Sequence, residues 1–202
     1  MNTLQFAGDI AIEKLQIIAP SGLYQDITNQ VVGIQVFEDL FSPFITGSLV
    51  VNDSLDLINL FPFIGEEQLI MKLSTPAMKK GNFDYKFAIT KMTNREMLGD
   101  RAMIYELHFI SKESLIDINT KVSRSYSGKC SDIADKILND KDFKFNVDKK
   151  INIEETSNST KYTSNFWSPV KNLNYVAGTS ANKNQSPSYL FFENRNGFNF
   201  VS

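Results

Sequence analysis

Few side chains in this sequence have the types and neighbours that chemistry requires. The single histidine, His108, lies in the alternating run Ala102–Ser111, on the face shared with Ile104 and Glu106 and opposite Tyr105, Leu107 and Phe109. An imidazole works as a general base when a second polar group orients it, or as a zinc ligand when other His or Cys residues are in reach. The sequence offers His108 neither, so its expected place is solvent or a subunit contact. The single cysteine, Cys130, heads the stripe Cys130, Ile133, Ala134, Ile137, Leu138, the i, i+3, i+4, i+7, i+8 spacing of a buried helix face. A thiol there is a small core residue rather than a nucleophile. One cysteine also excludes an internal disulfide framework and a CxxC-type metal site, and the expectation is synthesis in a reducing cytosol.

Two adjacent acidic pairs, Glu38–Asp39 and Glu66–Glu67, raise the question of a glycosidase. That chemistry needs two carboxyls roughly 5–10 Å apart across a cleft, one with a raised pKa. Adjacent residues of a strand point to opposite faces, so neither pair supplies the geometry, and both read as corner and turn carboxylates. Lys79–Lys80 and Lys149–Lys150 are short basic runs among acids and polar residues, and read as solvated turns. No GxSxG, HExxH, P-loop or GxGxxG pattern occurs. No catalytic, cofactor-binding or metal-binding residue is therefore assigned, no cofactor is expected, and the expectation is a protein that is not an enzyme. A formal net charge of −2 gives no global basic field for nucleic acid. No apolar run approaches the roughly 18–20 residues that cross a bilayer, so no stable membrane association is expected.

The elements around these residues are mostly strands. Ala11–Ala19 is a first strand, broken at Pro20–Gly22. In the stretch from Ile27 to Thr75, Val32, Ile34 and Val36 alternate with Gly33, Gln35 and Phe37; a corner follows at Glu38–Pro43. Ile45, Leu49 and Val51 then fall on one side of a second strand, with Thr46, Ser48 and Asn52 on the other. Asp53 or Ser54 caps the short helix LDLINLF, which Pro62 and Gly65 end, and Leu69, Met71 and Leu73 resume the alternation. Residues 77–82 read as a turn, Phe83–Met92 as a strand, Asn94–Asp100 as a turn and Ala102–Ser111 as the sixth strand. Phe37, Phe41, Phe44, Phe61 and Phe63 cluster near corners, either folded inward as plugs or left out as an apolar patch for a neighbouring subunit. Beyond Lys112 the pattern changes: a helical turn at Glu113–Ile118, a short strand at Lys121–Tyr126, and a helix capped by Ser127 and running through Asn139. INIEETSNSTKYTSN reads mostly as loop. A second helix opens at Ser168–Pro169, and Tyr189–Glu193 and Phe198–Val201 flank the hairpin signal Asn196–Gly197. The fold class is α+β, mainly β: an antiparallel β-barrel over residues 1–112, then a smaller α+β domain over 113–202 with two helices and a C-terminal hairpin.

Two stretches carry a resemblance. IQVFEDLFSPFITGSLVVNDSLDLINLFPFIGEEQLIM, residues 34–71, resembles the first barrel of the baseplate central hub proteins of contractile-tailed bacteriophages. NFWSPVKNLNYVAGTSAN followed by SYLFFENRNGFNFVS matches that family again, with a tryptophan and proline opening a helix and an FFEN-x-x-GFNF hairpin. The resemblance covers most of residues 27–111 and 120–202. It implies a tail-tube-like barrel in a structural virion protein, a homotrimer that links the sixfold tail tube to the cell-piercing spike. The implied partners are further copies of itself, the tail spike, tube or tube-initiator proteins, baseplate wedge proteins and the tape measure protein, with DNA only as transient cargo. The implied location is the virion tail baseplate, assembled in the host cytoplasm; the related spike of type VI secretion uses the same architecture. Family members carry a second barrel beyond the hairpin, so this chain is expected to be part of a longer protein. The alternatives are a tail-tip cell-wall hydrolase and a glycan- or receptor-binding module.

Overall fold

Period-two alternation builds the first of two units, which comprises Met1–Phe37 and Thr46–Lys112. The structure, a computed structural model, describes residues 9–61, 63–75, 83–99, 102–142 and 149–202. Seven strands form this unit: β1 (Ala11–Ile18), β2 (Tyr24–Asp26), β3 (Val31–Phe37), β4 (Thr46–Asp53), β5 (Gln68–Ser74), β6 (Phe83–Leu98) and β7 (Ala102–Ser111), with helix α1 (Leu57–Leu60) between β4 and β5. They make one antiparallel sheet in the order β2-β1-β5-β6-β7-β4-β3. One face is the core: Leu15, Ile17, Leu49, Val51, Leu69, Met71, Phe87, Tyr105, Leu107 and Phe109 are all buried. Each such side chain contributes about 1.5–3 kcal/mol on leaving water.

The expected barrel is present as a curled sheet, a half-barrel. Its curl follows from chain connectivity. β2 and β3 lie at opposite edges of the sheet, yet only Ile27–Gln30 separates them, which limits the gap at that corner to roughly 17 Å. The connector is bonded on both sides. Ile27 N donates to Leu15 O at 2.9 Å, Leu15 N to Thr28 Oγ1 at 3.1 Å, and Asn52 N to Gln30 O at 2.7 Å. The Asp26 carboxylate accepts from Thr28 N at 2.9 Å, and this backbone donor holds its pKa below the usual carboxylate range. The N-cap of α1 is Asp56, in the left-handed conformation with φ 58 and without a side-chain cap, and not Asp53 or Ser54; the Asp53 carboxylate accepts instead from Leu55 N at 3.0 Å and from Leu57 N, the first helical residue, at 2.8 Å. Pro62, read as the stop of this helix, and the turn at 77–82 lie outside the described residues.

Two features of this unit differ from the six-strand reading: β2 is an additional strand, paired with β1, and one boundary is shifted. β6 continues to Leu98, through the stretch from Asn94 that reads as a turn. Asn94 does adopt φ 53, but the irregularity is absorbed as a bulge between Thr93 and Glu96 while the ladder to β7 resumes at Glu96↔Ile104.

The second unit comprises Glu38–Ile45 and Glu113–Ser202. Its elements are α2 (Glu113–Asn119), β8 (Ser125–Lys129), α3 (Cys130–Leu138), β9 (Ile151–Ile153), β10 (Ser159–Thr163), α4 (Pro169–Thr179), β11 (Leu190–Asn194) and β12 (Gly197–Val201). α3 buries Cys130, Ile133, Ala134, Ile137 and Leu138 and packs against α4, which buries Val170, Leu173, Val176 and Ala177. Ser168 caps α4 by accepting from Lys171 N at 3.3 Å, with Pro169 in the first turn. Ser127 is not a helix cap. It pairs with Lys161 in the β8–β10 ladder, whose hydrogen bonds extend the strand to Lys129 and start α3 at Cys130. The stretch read as loop holds two strands, β9 and β10; β9 pairs parallel to β12, and β10 antiparallel to β8.

Candidate functional site

His108 stands on the outer face of the sheet, half-buried, as the alternation predicts. Its Nε2 lies 2.7 Å from Thr93 Oγ1 and 3.9 Å from Glu106 Oε2. A hydroxyl, an imidazole and a carboxylate in one row invite comparison with a catalytic relay, but the geometry is not that of one. A relay needs the carboxylate on the ring nitrogen opposite the hydroxyl, where it fixes the tautomer and the charge. Here both partners face Nε2. Glu106 is held elsewhere: the Ser48 hydroxyl, then Asn94 Nδ2 at 2.9 Å, stabilise its charge and keep its pKa low. Cys130 is fully buried at the start of α3.

Three of the four acids in the two pairs accept from backbone donors. Glu67, buried, accepts from Ile64 N at 2.6 Å and Gly65 N at 3.0 Å, closing the turn before β5, while Glu66 is exposed. Asp39 Oδ1 accepts from Phe41 N at 2.9 Å, and Glu38 Oε1 from Arg195 N at 3.1 Å. Among the described residues no group of three or more His, Cys, Asp or Glu could hold a metal ion. No described helix is long and apolar enough to cross a membrane.

Lys149 corrects the sequence reading. It is not a solvated turn residue: its Nζ lies 2.6 Å from Glu113 Oε2 and 2.5 Å from Glu193 Oε1. Both carboxylate side chains are buried, at 1% and 2% exposure, and the ammonium also sits 5.4 Å from the centre of the Phe198 ring. Glu193 Oε2 in turn accepts from Ile45 N at 3.1 Å, so one buried cluster ties Glu38–Ile45, α2, β11 and the residues just before β9 together. Nothing in local spacing signals it, because Ile45, Glu113, Lys149 and Glu193 come from four distant parts of the chain. Lys79–Lys80 lie outside the described residues.

The aromatic residues at the corners divide. Phe44 and Phe61 are buried, Phe44 edge-on to Phe198 at 6.3 Å. Phe37 is 56% exposed and Phe41 82% exposed, with Leu40 beside it also exposed. Phe41 sits on a turn fixed by Asp39, whose carbonyl accepts from Ser42 N at 3.1 Å, and by Ser42 Oγ donating to Phe44 O at 2.8 Å. A large apolar side chain held out to water on a stiff turn is suited to a partner's surface, not to chemistry.

No family model and no curated protein matches the chain. Solved structures do. The 43 kDa tail protein of prophage MuSo2 from Shewanella oneidensis superimposes over 93% of this chain and 53% of its own length, with a TM-score of 0.61 at 8% identity. The tail protein from Neisseria meningitidis MC58 covers 93% of this chain and 49% of its own, with a TM-score of 0.54 at 8% identity. The Francisella PdpA–VgrG complex, lidded, matches 100% of this chain and 29% of its own at a TM-score of 0.50 and 14% identity. The chain thus spans about half the length of the first two and under a third of the other. Its fold is that of phage tail proteins, in line with the hub-like resemblance of residues 34–71 and 165–202.

Proposed function

We propose that this chain is a structural subunit of a contractile phage tail, at the baseplate hub where the tube meets the cell-piercing spike. The observation that carries the reading is architectural: a curled antiparallel sheet followed by an α+β unit, matched over 93% of the chain by two tail proteins. The hub motifs quoted above support the finer assignment. On this reading the protein is a homotrimer that adapts a sixfold tube to a threefold spike, with tube, spike, wedge and tape measure proteins as neighbours and DNA as passing cargo. It resides in the virion tail and assembles in the host cytoplasm. It is not an enzyme; the occupied carboxylates, the misplaced Glu106 and the buried Cys130 support that part. Cryo-EM of the native particle tests the reading. Threefold density for this chain at the tube–spike junction is expected. A position away from the tail axis overturns it, and peptidoglycan cleavage by the chain that one carboxylate substitution abolishes replaces it with the hydrolase.

A further inference from the structure

The surroundings of Lys149, all within the second unit, go beyond what an ion pair needs. Its Nζ donates to Glu113 Oε2 at 2.6 Å and to Glu193 Oε1 at 2.5 Å, and both carboxylate side chains are almost fully buried. The Phe198 ring lies 5.4 Å from the nitrogen, stacked on the buried Phe191 at 5.6 Å and edge-on to the buried Phe44. Two carboxylates and one ammonium leave an excess negative charge among aromatic rings that solvate charge poorly. Condensing the amine with one carboxylate to an amide would remove one charge of each sign.

The two carboxylates are not equivalent, and their differences assign the parts. Glu193 Oε2, the oxygen that does not face the lysine, accepts from Ile45 N at 3.1 Å. A backbone N–H in that place stabilises the oxyanion that forms when an amine adds to the carboxyl carbon. Because Oε1 is 2.5 Å from Nζ, the carboxyl carbon one bond farther lies within about 3.7 Å of it, next to the near-attack range of roughly 3–3.5 Å. Glu113 Oε1, by contrast, is buried and has no hydrogen-bond partner among the described residues. Glu113 therefore offers no donor to an oxyanion, but it has a lone pair free to carry a proton.

We infer that Lys149 and Glu193 join in an intramolecular isopeptide bond, with Glu113 as the group that moves the protons. The ion cluster is the reactant, present as the chain folds. Lys149 passes a proton to Glu113, which frees the amine lone pair for attack. The Nζ–Cδ bond forms and the Cδ–Oε1 bond of Glu193 breaks. Two protons in all leave Nζ through Glu113 and depart on Oε1 as water, while Oε2 becomes the amide oxygen held by Ile45 N–H. One ammonium and one carboxylate are consumed, Glu113 is returned ionised, and no oxidant or co-reactant is required. The reaction occurs once per chain, so it makes a covalent staple and not an enzyme. That staple fixes β11 to the residues just before β9 and, like a disulfide, constrains the unfolded chain.

Intact mass of the full wild-type chain, followed by tryptic peptide mapping, tests it without depending on any variant to fold. After incubation at neutral pH the chain is expected to weigh one water less than its sequence, with the peptides that hold Lys149 and Glu193 joined. Glu113→Gln keeps the size of the side chain but cannot take the proton, and is expected to form the bond about 10²–10⁴-fold more slowly. Lys149→Arg retains the cation and is expected to keep the full sequence mass. Circular dichroism matching the wild type shows that each variant folds. Full sequence mass in the folded wild-type chain overturns the inference and leaves an ordinary ion cluster, as does a water loss that maps to other residues. A cross-link that forms at the wild-type rate in Glu113→Gln overturns the part given to Glu113.

Discussion

A lysine between two buried carboxylates is a costly arrangement unless every charge is met, and Lys149 shows how unit-specific that cost is. With Lys149 in place, Glu113 Oε2 and Glu193 Oε1 share an ammonium, while Glu113 Oε1 is buried without a hydrogen-bond partner among the described residues. Lys149→Met removes the cation and leaves two carboxylates at 1% and 2% exposure facing each other. The expected loss is about 3–5 kcal/mol, because the unpaired charges and not the lost bond dominate. Urea denaturation followed by Trp167 fluorescence measures it. Combining the change with Glu113→Gln and Glu193→Gln should recover a large part, an outcome a simple packing defect would not give. None of this was legible in the sequence. Lys149–Lys150 looks like any solvated basic pair, whereas His108, Cys130 and the acidic pairs were legible because alternation, helical spacing and turn position each set where a side chain points.

At the scale of elements, Gly47 on β4 is a close-approach position. A Cβ there would stand 2.2 Å from Gln35 O and 2.4 Å from Phe109 Cζ, so strand backbone and a buried ring both have to move. Gly47→Ala is expected to destabilise the first unit by about 1–3 kcal/mol through overpacking. Gly33→Ala is the contrast, since its added Cβ meets only Val50 side-chain atoms at 3.6 Å, an ordinary contact. Equal unfolding midpoints for the two variants would contradict this account. Six of the seven strands of the first unit were readable because each carries its own alternation; β2, three residues long, is too short to show one. β9 and β10 were not, because their Asn/Ser/Thr-rich sequences become strands only through ladders to β12 and β8. Ser127 was misread for the same reason: its cap chemistry is sound locally, and a distant strand claims its backbone first.

For the whole molecule, the presence of two cores has a measurable consequence. Leu173 is fully buried in the second unit, and Leu49 and Leu107 in the first. Leu173→Ala should cost about 2–5 kcal/mol in its own unit. Hydrogen exchange is then expected to accelerate across α3 and α4 while the amides of β4 and β7 keep their protection. Uniform acceleration through both units would mean that the chain unfolds as a single cooperative block. The fold likeness to tail proteins places this division in context, since those chains are about twice as long.

The Ile27–Gln30 connector makes the curled sheet mechanically unlike an open one. An apron of seven strands can be spread by sliding its two free margins apart, with no bond to resist except the ladders within. Here the margins are the two ends of one peptide, stitched to Leu15 on one side and Asn52 on the other. A load that pulls them apart at that corner is borne by covalent bonds, so rupture must start from the far, unstitched end. A single backbone nick at Asn29 would remove that protection without deleting one residue, turning a clasped hoop into a strap.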